Sequence, residues 1–356
     1  MRFMKKMLLI SNMYPKSDLD FFGIFVKKFE LGIKEEFFIK KVVLVGNTNT
    51  FFLKGIKYLI FYLKIFYNIF YNFDVVYVHF PTRSAVPILL NPFFYKRLIV
   101  LNYHGSDLNS LSKVNRFLNF ILTPLIKRSS LIVVPSHVLR STFLNKYNNI
   151  NIFISASSGV PDNFYIKNIK NNYTLNISFI YLSSLLESKG ILTLLDSIKK
   201  LINKGYKFRC SIYGEGPLLE YVKSFSKKYN TFVSYKGILE NGMIPQIYSK
   251  HDFFIFPSKT ESLGLVGLEA LACGLPVIGS KIPAIESYLI DEYNGLLFDP
   301  FDSNDLTEKI EILLQNRMLL VSLKNNSSFS VLKFKNSHIN YNLVKKLNET
   351  IRDFRG

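Results

Sequence analysis

Two series of short apolar segments constrain the fold of this chain more than any other feature. Each series holds six segments rich in Val, Ile, Leu and Phe, and longer helical stretches lie between most of them. The first series is 7–11, 41–47, 74–80, 98–104, 130–136 and 151–156, and the second is 176–184, 208–214, 231–237, 252–258, 276–280 and 294–300. Short strands that alternate with helices are typical of parallel sheets. The pattern therefore predicts an α/β fold with two doubly wound, Rossmann-like sheets.

A polar segment divides the two series. Residues 166–173, IKNIKNNY, are rich in Asn and Lys, so we place an interdomain linker there. A chain of 356 residues is also too long for one ordinary core. We expect two domains that face each other across a cleft, with ligands bound beyond the carboxyl ends of the strands.

The residue types that form disulfides and metal sites are not spaced for either role. Cys210 and Cys273 lie far apart in apolar runs and are expected to be core thiols in a reducing compartment. The five histidines form no HExxH motif and no i, i+4 pair, so no metal site is expected. The N-terminal run MLLI is too short for the apolar part of a signal peptide, which favours a cytoplasmic protein.

The stretch PSKTESLGLVGLEALACGLPVI, residues 257–278, carries two glutamates among residues that are mostly apolar or small. It begins at the end of a predicted strand, and seven residues separate Glu261 from Glu269. We predict that Ser262 is the N-cap of a helix, and that Gly274 ends this helix in the left-handed conformation.

The start of this helix is suited to an anion. The backbone N–H groups of Leu263, Gly264 and Leu265 are expected to point into the cleft, where they and the helix dipole favour a diphosphate. Glu269 can accept two hydrogen bonds from a vicinal diol such as that of a ribose, and Glu261 can accept from hydroxyls of a transferred group. Taken alone, either glutamate also fits a structural role, Glu261 as a solvated loop acid and Glu269 as a partner of the helix dipole.

The combination of strand end, Ser-Gly helix start, spaced acids and Gly-Leu-Pro stop resembles the E-x7-E segment of retaining GT-B glycosyltransferases, the group often called family 4. Other segments resemble that family's phosphate loop, GxGP turn, nucleobase strand and closing pattern: FIYLSSLLESKGILTLLDSIKKL (179–201), IYGEGPLLEYV (212–222), YKGILENGMIPQIYSKHDFFIFPS (235–258) and NGLLFDPFDSNDLTEKI (294–310). Looser matches are FFGIFVKKFE (21–30), NYHGSDL (102–108) and SASSGVPDNFY (155–165).

The resemblance implies a GT-B fold with assigned domains and roles. Residues 1–165 would form the acceptor domain and 174–335 the donor domain, and residues 336–356 would form a helix that packs back on the first domain. Lys189 would neutralise the leaving diphosphate, so neither a metal nor another cofactor is implied. The remaining candidates for the active site are Glu261 and Glu269 for sugar and ribose, His104 beside the reacting carbon, and Gly23, Ser184, Gly214, Gly237, Ile238, Ser262, Leu263, Gly264 and Leu265 for the donor.

One position departs from the family pattern. The family usually has an arginine about five residues before the lysine, and Ser184 stands there. A serine supplies a hydrogen bond but no charge, whereas an arginine would be bidentate. Either Lys189 and the helix dipole suffice, or Lys259 or Lys281 supplies the cation, or transfer is weak or lost.

The histidines divide into one site candidate and four structural residues. His104 follows a predicted strand end, where ligands bind, although a structural role stays open for it. Asp107 is expected to cap the helix that follows it. The residues interpreted as structural are His79, His137, His251 and His338.

The first half of the chain has a one-sided charge. The net charge is +19, and residues 1–165 carry 21 Lys and Arg against 8 Asp and Glu. Between Phe37 and Val160 the sequence has only two acids, Asp74 and Asp107. A surface of one sign attracts polyanions, either nucleic acid or an anionic membrane.

Residues 51–73, FFLKGIKYLIFYLKIFYNIFYNF, hold ten aromatic residues and three lysines. The lysines would make a transmembrane helix costly. One interpretation is a helix packed on the sheet with its lysine stripe towards solvent. The favoured interpretation is partial immersion in a membrane, because the apolar arc is wider than one sheet contact buries. Residues 112–130 repeat the mixture of cations with Phe and Leu.

Together these features predict a retaining, metal-independent glycosyltransferase that is peripheral on the inner face of the cytoplasmic membrane. It would move a sugar from a nucleotide diphosphate donor to a polyprenyl-linked or other lipid-linked glycan in surface polysaccharide biosynthesis. Alternatives are another GT-B enzyme, such as a nucleotide-sugar epimerase or an inverting transferase, and a non-enzymatic membrane-associated partner. A nucleic-acid binder would explain the charge, but the chain shows no RRM, KH or helix-turn-helix pattern.

Overall fold

The computed structural model describes residues 4–17, 23–46, 51–68, 70–91, 96–105, 107, 112–148, 150–164 and 177–356. The chain separates into two compact units, the first of residues 1–159 with 336–356 and the second of residues 160–335. The predicted linker, 166–173, lies outside the described residues.

The first unit is built on a six-stranded parallel sheet. Its strands are β1 (Lys5–Tyr14), β2 (Phe37–Val45), β3 (Val75–His79), β4 (Ile99–Asn102), β5 (Leu131–Val134) and β6 (Ile152–Ile154). Their order across the sheet is β2-β1-β3-β4-β5-β6. All of β3 and β4 is buried, as expected for parallel strands that are covered on both faces.

Seven helices of the first unit fall between these strands or directly after them in the described part of the chain. They are α1 (Ile24–Ile33), α2 (Phe51–Asn68), α3 (Pro81–Ser84), α4 (Val86–Leu89), α5 (Lys113–Ile121), α6 (Thr123–Arg128) and α7 (His137–Leu144). One face of the sheet packs against α2, α4, α6 and α7, through Phe61, Ile88, Ile126 and Phe143. Among the described helices, none is long and apolar enough to cross a membrane.

The second unit repeats the architecture. Its strands are β7 (Ser178–Leu182), β8 (Arg209–Tyr213), β9 (Val233–Tyr235), β10 (Phe253–Phe256), β11 (Val277–Ser280) and β12 (Gly295–Phe298). The strands are parallel in the order β12-β11-β10-β7-β8-β9. The strand order reverses between β7 and β10, which makes their carboxyl ends the switch point where ligands bind in such sheets.

The helices of the second unit are α8 (Ile191–Asn203), α9 (Leu219–Lys228), α10 (Ile244–Tyr248), α11 (Leu265–Ala272), α12 (Pro283–Glu286), α13 (Ser303–Gln315) and α14 (Arg317–Ser330). The apolar side of α8 packs on the sheet through Leu194, Ile198 and Leu201, beside Ile310 of α13. All twelve predicted strands therefore form, and the α/β fold with two Rossmann-like sheets is confirmed.

The last helix, α15 (Asn336–Arg355), belongs to the first unit. Its Leu343, Leu347 and Ile351 pack with α1 on the second face of the first sheet. The second unit already includes residues 160–164, whereas the predicted first domain extends to residue 165. The N–H of Val160 donates to the carbonyl of Phe334 at 2.8 Å, which attaches this segment to the second unit.

Candidate active site

Two loops meet at the carboxyl ends of β7 and β10, which are neighbouring strands of the second sheet. The loop after β7 contains a short 3-10 helix, Glu187–Lys189, and the loop after β10 carries Glu261. The backbone N–H of Lys259 donates to the carbonyl of Ser188 at 2.9 Å and so joins the two loops.

An ion pair also connects these loops. Lys189 Nζ donates to Glu261 Oε1 at 2.6 Å, and the two side chains are only 27% and 12% exposed. Charge-assisted hydrogen bonds are stronger than neutral ones, and partial burial reduces the screening by water. The pair therefore holds a cation and a carboxylate together at the switch point of the sheet.

Gly190 fixes the backbone conformation directly after Lys189. Its φ is 71°, and a Cβ at this position would lie 1.7 Å from the carbonyl oxygen of Pro257. Only glycine adopts this conformation at so close an approach to backbone. Gly190 is also the N-cap of α8, so one residue fixes both the start of the helix and the backbone next to Lys189.

The helix that carries Glu269 begins later than predicted. Ser262 is not its N-cap, because α11 starts at Leu265 and Gly264 is the N-cap, with φ 84° and ψ 62°. Leu263, in the turn before this helix, is buried. The predicted stop is confirmed, since Gly274 has φ 71° directly after the C-cap.

The start of α11 leaves backbone donors available. Within the described residues, the N–H groups of residues 263–266 donate to no backbone carbonyl. The carbonyl of Gly264 accepts a hydrogen bond from the Tyr288 hydroxyl at 3.0 Å, which fixes this turn. Burial raises the pKa of Tyr288 well above its usual value, so its hydroxyl stays a neutral donor. Free N–H groups and the helix dipole together favour a bound anion.

Glu269 lies a little more than one turn into α11 and is 8% exposed. The pKa of the neighbouring Cys273 thiol is raised to about 12. The main cause is burial, and the second is the negative charge of Glu269. A carboxylate in such surroundings makes strong hydrogen bonds to ligand hydroxyls, since water competes weakly there.

The turns after β7, β8 and β9 are joined by backbone contacts. The N–H of Gly214 donates to the carbonyl of Gly237 at 2.9 Å, and a Cβ at Gly214 would lie 1.9 Å from the carbonyl oxygen of Ser183. Gly237 has φ 81°, and Ile238 after it is exposed. The residues predicted to contact the base therefore lie along the same sheet edge as Lys189.

The position of the missing arginine is open to solvent. Ser184 is exposed, and its carbonyl accepts from the Tyr181 hydroxyl at 3.0 Å. Of the two lysines considered as substitutes, Lys259 pairs with Glu187 at 3.2 Å, beside the 3-10 helix that ends in Lys189. Lys281 is exposed at the end of β11.

In the first unit, Gly23 and His104 lie at one edge of the sheet. Gly23 is the N-cap of α1 with φ 77°, and a Cβ there would lie 2.7 Å from the backbone of Met13 and Tyr14. His104 follows the end of β4. Phe25, in α1, has its ring centroid 4.8 Å from that of His104 and so connects the two positions.

His104 has a histidine partner that sequence reasoning interpreted as structural. His79 ends β3, and its Nδ1 lies 2.9 Å from Nε2 of His104. Burial lowers the pKa of His104 to about 3 and also lowers that of His79, so both rings are neutral near pH 7.

The tautomers of this pair follow from burial. Nε2 of His79 is buried and has no hydrogen-bond partner among the described residues. A buried N–H without an acceptor is rarer than an unpaired acceptor. His79 is therefore favoured as the Nδ1–H donor, which places the proton of the neutral His104 ring on its own Nδ1. The sequence signal for His79 was its position at a strand end, the same kind of position as that of His104.

Asp107 does not cap the helix that follows it. Helix α5 has Ser112 as its N-cap, and Asp107 Oδ1 instead accepts from the backbone N–H of His104 at 3.0 Å. His251 makes structural contacts, since its ring nitrogens lie 2.8 Å from the carbonyl of Ile247 and 2.9 Å from the Ser211 hydroxyl.

Potential metal ligands and the two cysteines are the remaining reactive groups. Within the described part of the chain, no three His, Cys, Asp or Glu side chains cluster in a way that would hold a metal ion. Cys210 and Cys273 are both buried and free.

Comparison with known proteins finds similarities to glycosyltransferases. Residues 163–328 match the family described as Glycosyl transferases group 1. An uncharacterized glycosyltransferase of Methanocaldococcus jannaschii is 28% identical over 309 residues, which are 83% of this chain and 82% of that protein. The capsular polysaccharide biosynthesis glycosyltransferase CapM of Staphylococcus aureus is 25% identical over 202 residues, 53% of this chain and 52% of CapM. HepE of Anabaena, solved with UDP and glucose, has a TM-score of 0.73 at 15% identity, with 97% of this chain and 100% of HepE covered.

The two doubly wound sheets and the likeness to HepE define the GT-B fold. The match to the group 1 family model lies almost wholly within the second unit and includes Lys189, Glu261 and Glu269.

Proposed function

We propose that the protein transfers a sugar, with retention of anomeric configuration, from a nucleotide diphosphate donor to a lipid-linked glycan of a bacterial surface polysaccharide. One observation carries the proposal. The Lys189–Glu261 pair lies at the switch point of the second sheet, and Glu261 is on the loop that leads into α11, whose first N–H groups donate to no backbone carbonyl among the described residues. HepE, which shares the fold, was solved with UDP and glucose, and CapM is a capsular polysaccharide glycosyltransferase.

The second unit supplies the groups that the departing diphosphate needs. In the proposed complex the N–H groups of residues 263–266 bind the diphosphate, and the Lys189 ammonium turns from Glu261 to the phosphate oxygens. When the bond between C1 of the sugar and the phosphate oxygen breaks, its electron pair goes to that oxygen. A fixed cation and oriented N–H groups stabilise this charge, so no metal ion is required.

The carboxylates hold the donor in place during this step. Glu261, released from Lys189, accepts hydrogen bonds from the sugar hydroxyls, and Glu269 accepts from the ribose diol. The acceptor hydroxyl attacks C1 from the face that the diphosphate leaves, and its proton passes to the departing nucleoside diphosphate. In the first unit, the Nδ1–H of His104 donates to an oxygen of the acceptor.

Donor binding is tested by the thermal stability of the purified protein with UDP-, GDP-, ADP- and CMP-sugars, without and with magnesium. A ligand that binds only the folded state raises the melting temperature. We expect one nucleotide class to stabilise the wild type without magnesium, to leave Glu269→Ala unchanged, and to stabilise the control Glu220→Ala, since Glu220 lies exposed on α9. The proposed donor site is wrong if no sugar nucleotide stabilises the wild type in the presence of acceptor lipid.

Turnover tests the role of the lysine. Lys189→Met should lower kcat by about 100-fold to 1,000-fold with a smaller change in KM, because the cation acts mainly on charge that develops in the transition state. Lys189→Arg should retain more activity than Lys189→Met. Equal kcat values for the wild type and Lys189→Met would remove Lys189 from the mechanism.

A further inference from the structure

Helix α5 buries a polar residue and exposes apolar residues, which is the reverse of an ordinary surface helix. Its buried residue is Asn119, while Phe117 is 61% exposed and Phe120 is 75% exposed. At 100° per residue Asn119 lies opposite the apolar side of this helix. A helix that hides its polar residue and presents its aromatic residues has an apolar surface that the first unit does not cover.

Helix α2 presents a second surface of the same kind. Phe61 and Ile65 pack on the sheet, whereas Phe52 is 76% exposed and Leu59 is 61% exposed. The side of the helix away from the sheet, an arc of about 140°, carries only apolar and aromatic residues. Helix α2 is therefore packed on the sheet, but it exposes a wide apolar surface as well as its lysines.

The two helices are joined through α3. The Tyr62 hydroxyl of α2 donates to the carbonyl of Arg83 at 3.0 Å, and the Arg83 guanidinium donates to Oδ1 of Asn115 in α5 at 3.3 and 3.2 Å. The exposed apolar side chains of α2 and α5 thus belong to one rigid part of the unit. We refer to them as the α2–α5 face, which includes Leu59, Ile60, Leu63, Val114, Phe117 and Phe120.

Cations border the α2–α5 face, and the nearby acids are engaged elsewhere. Lys64 on α2 and Arg116 on α5 are exposed. Between residues 37 and 160 the sequence has two acids, of which Asp74 pairs with Arg355 and Asp107 is buried against the backbone N–H of His104. An apolar centre with a cationic border is complementary to a bilayer with anionic headgroups.

We propose that the α2–α5 face docks on an anionic bilayer, with Phe117 and Phe120 among the acyl chains and Lys64 and Arg116 at the headgroups. The purpose of this docking rests on the proposed function, because a lipid-linked acceptor lies in the same bilayer. The surface itself is argued from exposure and charge alone. A second copy of the chain is a poorer occupant, since pairing this face with itself would bring cations together without acids to neutralise them.

A tryptophan reporter tests insertion directly, because the chain contains no tryptophan. Phe117→Trp places the only indole on the proposed face, and Phe329→Trp is the matched control on an exposed position of α14. With vesicles of equal parts phosphatidylcholine and phosphatidylglycerol, the emission of Phe117→Trp should move to shorter wavelength and that of Phe329→Trp should not. A shift for both variants, or for neither, overturns the proposal.

Vesicle flotation tests which residues drive docking. Phe117→Ser with Phe120→Ser should weaken flotation on phosphatidylglycerol vesicles at least about tenfold. The control, Met318→Ser with Phe329→Ser, should float like the wild type, since both residues are exposed on α14. Lys64→Gln with Arg116→Gln should weaken flotation on these vesicles and have no effect on neutral ones. Equal flotation of all variants contradicts the assignment.

The remaining outcomes separate this proposal from the proposed function. If the wild type does not float but self-associates in sedimentation, and Phe117→Ser with Phe120→Ser abolishes the association, the face belongs to a second copy and the proposal falls. Each serine variant should keep the stabilisation by its sugar nucleotide, which shows that it is folded. Flotation of a wild type that no sugar nucleotide stabilises would support docking and overturn the proposed function instead.

Discussion

Helices α5 and α8 are both amphipathic, yet they turn their apolar sides in opposite directions. Helix α8 buries Leu194 and Ile198 against the second sheet. Helix α5 exposes Phe117 and Phe120 and buries Asn119. The periodicity of a sequence shows which residues share a side of a helix. The comparison of α5 with α8 shows that periodicity does not predict whether that side faces the core or the solvent.

The difference follows from what already covers each sheet. Helix α8 connects β7 to β8, and its apolar side closes that part of the second core. Helix α5 is followed by α6, whose Leu125 and Ile126 already pack on the first sheet. Hydrogen bonds then hold α5 in place, because Nδ2 of Asn119 donates to the carbonyl of Asp107 at 2.9 Å and its Oδ1 accepts from the Thr82 hydroxyl at 2.8 Å.

Truncating one apolar residue in each helix tests the comparison most strongly. Leu194→Ala should lower the free energy of unfolding by about 2–5 kcal/mol, because the side chain is fully buried and leaves a cavity. Phe117→Ala should change it by less than about 0.5 kcal/mol, since surface substitutions away from special features are nearly neutral. Urea unfolding of both variants gives the two values. Similar losses for both would mean that α5 is covered within the folded protein.

Removing the side chain of Asn119, which holds α5 by hydrogen bonds, should have the next largest effect on the free energy of unfolding. Asn119→Ala removes the Nδ2 donor to the carbonyl of Asp107 and the Oδ1 acceptor of the Thr82 hydroxyl, and it should cost about 1–3 kcal/mol. The control is Asn115→Ala on the same helix, whose partner Arg83 is partly exposed to water, and it should cost less. If urea unfolding gives equal values for the two variants, hydrogen bonds of Asn119 do not set the orientation of α5.

Acid should act on the first unit through its histidine pair. The folded-state pKa of His79 and His104 lies below the unfolded value near 6.5, so the unfolded chain binds more protons as pH falls. The stability that comes from these neutral rings is complete above about pH 6.5. It decreases below that pH by up to about 1.4 kcal/mol per pH unit for each ring.

Unfolding midpoints at pH 7.5, 6.5 and 5.5 measure this slope. His79→Gln removes one titrating ring and should flatten the slope, while His137→Gln, at an exposed position of α7, should not. Asp107, the acid in contact with His104, is present in both variants and cannot cause a difference between them. An unchanged slope in His79→Gln would show that the buried pair is not the acid-sensitive group.

Substitution of surface lysines should have the smallest effect on stability. It compares the role of charge in α8 with its role in α5. Lys204, at the end of α8, pairs with Glu311 of α13 at 2.7 Å, and Lys204→Gln should lower the melting temperature by no more than about 2 °C. Lys113→Gln on α5 should leave the melting temperature unchanged and weaken binding to phosphatidylglycerol vesicles. A larger thermal effect for Lys113 than for Lys204 would show that α5 uses its cations within the fold.

Local pattern was enough to predict the strands and to single out two site candidates that the structure brings together. Apolar runs bounded by turn residues became the twelve strands, because buried parallel strands need such runs on both faces. Lys189 and Glu261 were identified from motifs, and the structure pairs them at 2.6 Å. Their distance was not predictable, since 71 residues lie between them in the sequence and only the pairing of β7 with β10 brings them together.

Two helix caps were predicted wrongly from residue type. Ser262 has the residue type of an N-cap, but α11 starts at Leu265 and Gly264, with a left-handed backbone, is its N-cap. Asp107 was assigned to a helix cap, whereas it holds the backbone of His104. In both cases residue type gave a local preference, and the backbone conformation of the folded loop decided which residue became the cap.

The sequence by itself determined the alternation of strands and helices, the sets of residues that share a helix side, and the positions of the glycines that permit left-handed turns. These properties depend on neighbours within a few residues, through periodicity and backbone sterics. Tertiary structure alone decided that the apolar side of α5 faces outward and that His79 and His104 meet. Both results depend on which surfaces of the first sheet other segments have already covered, and that is a property of the whole chain.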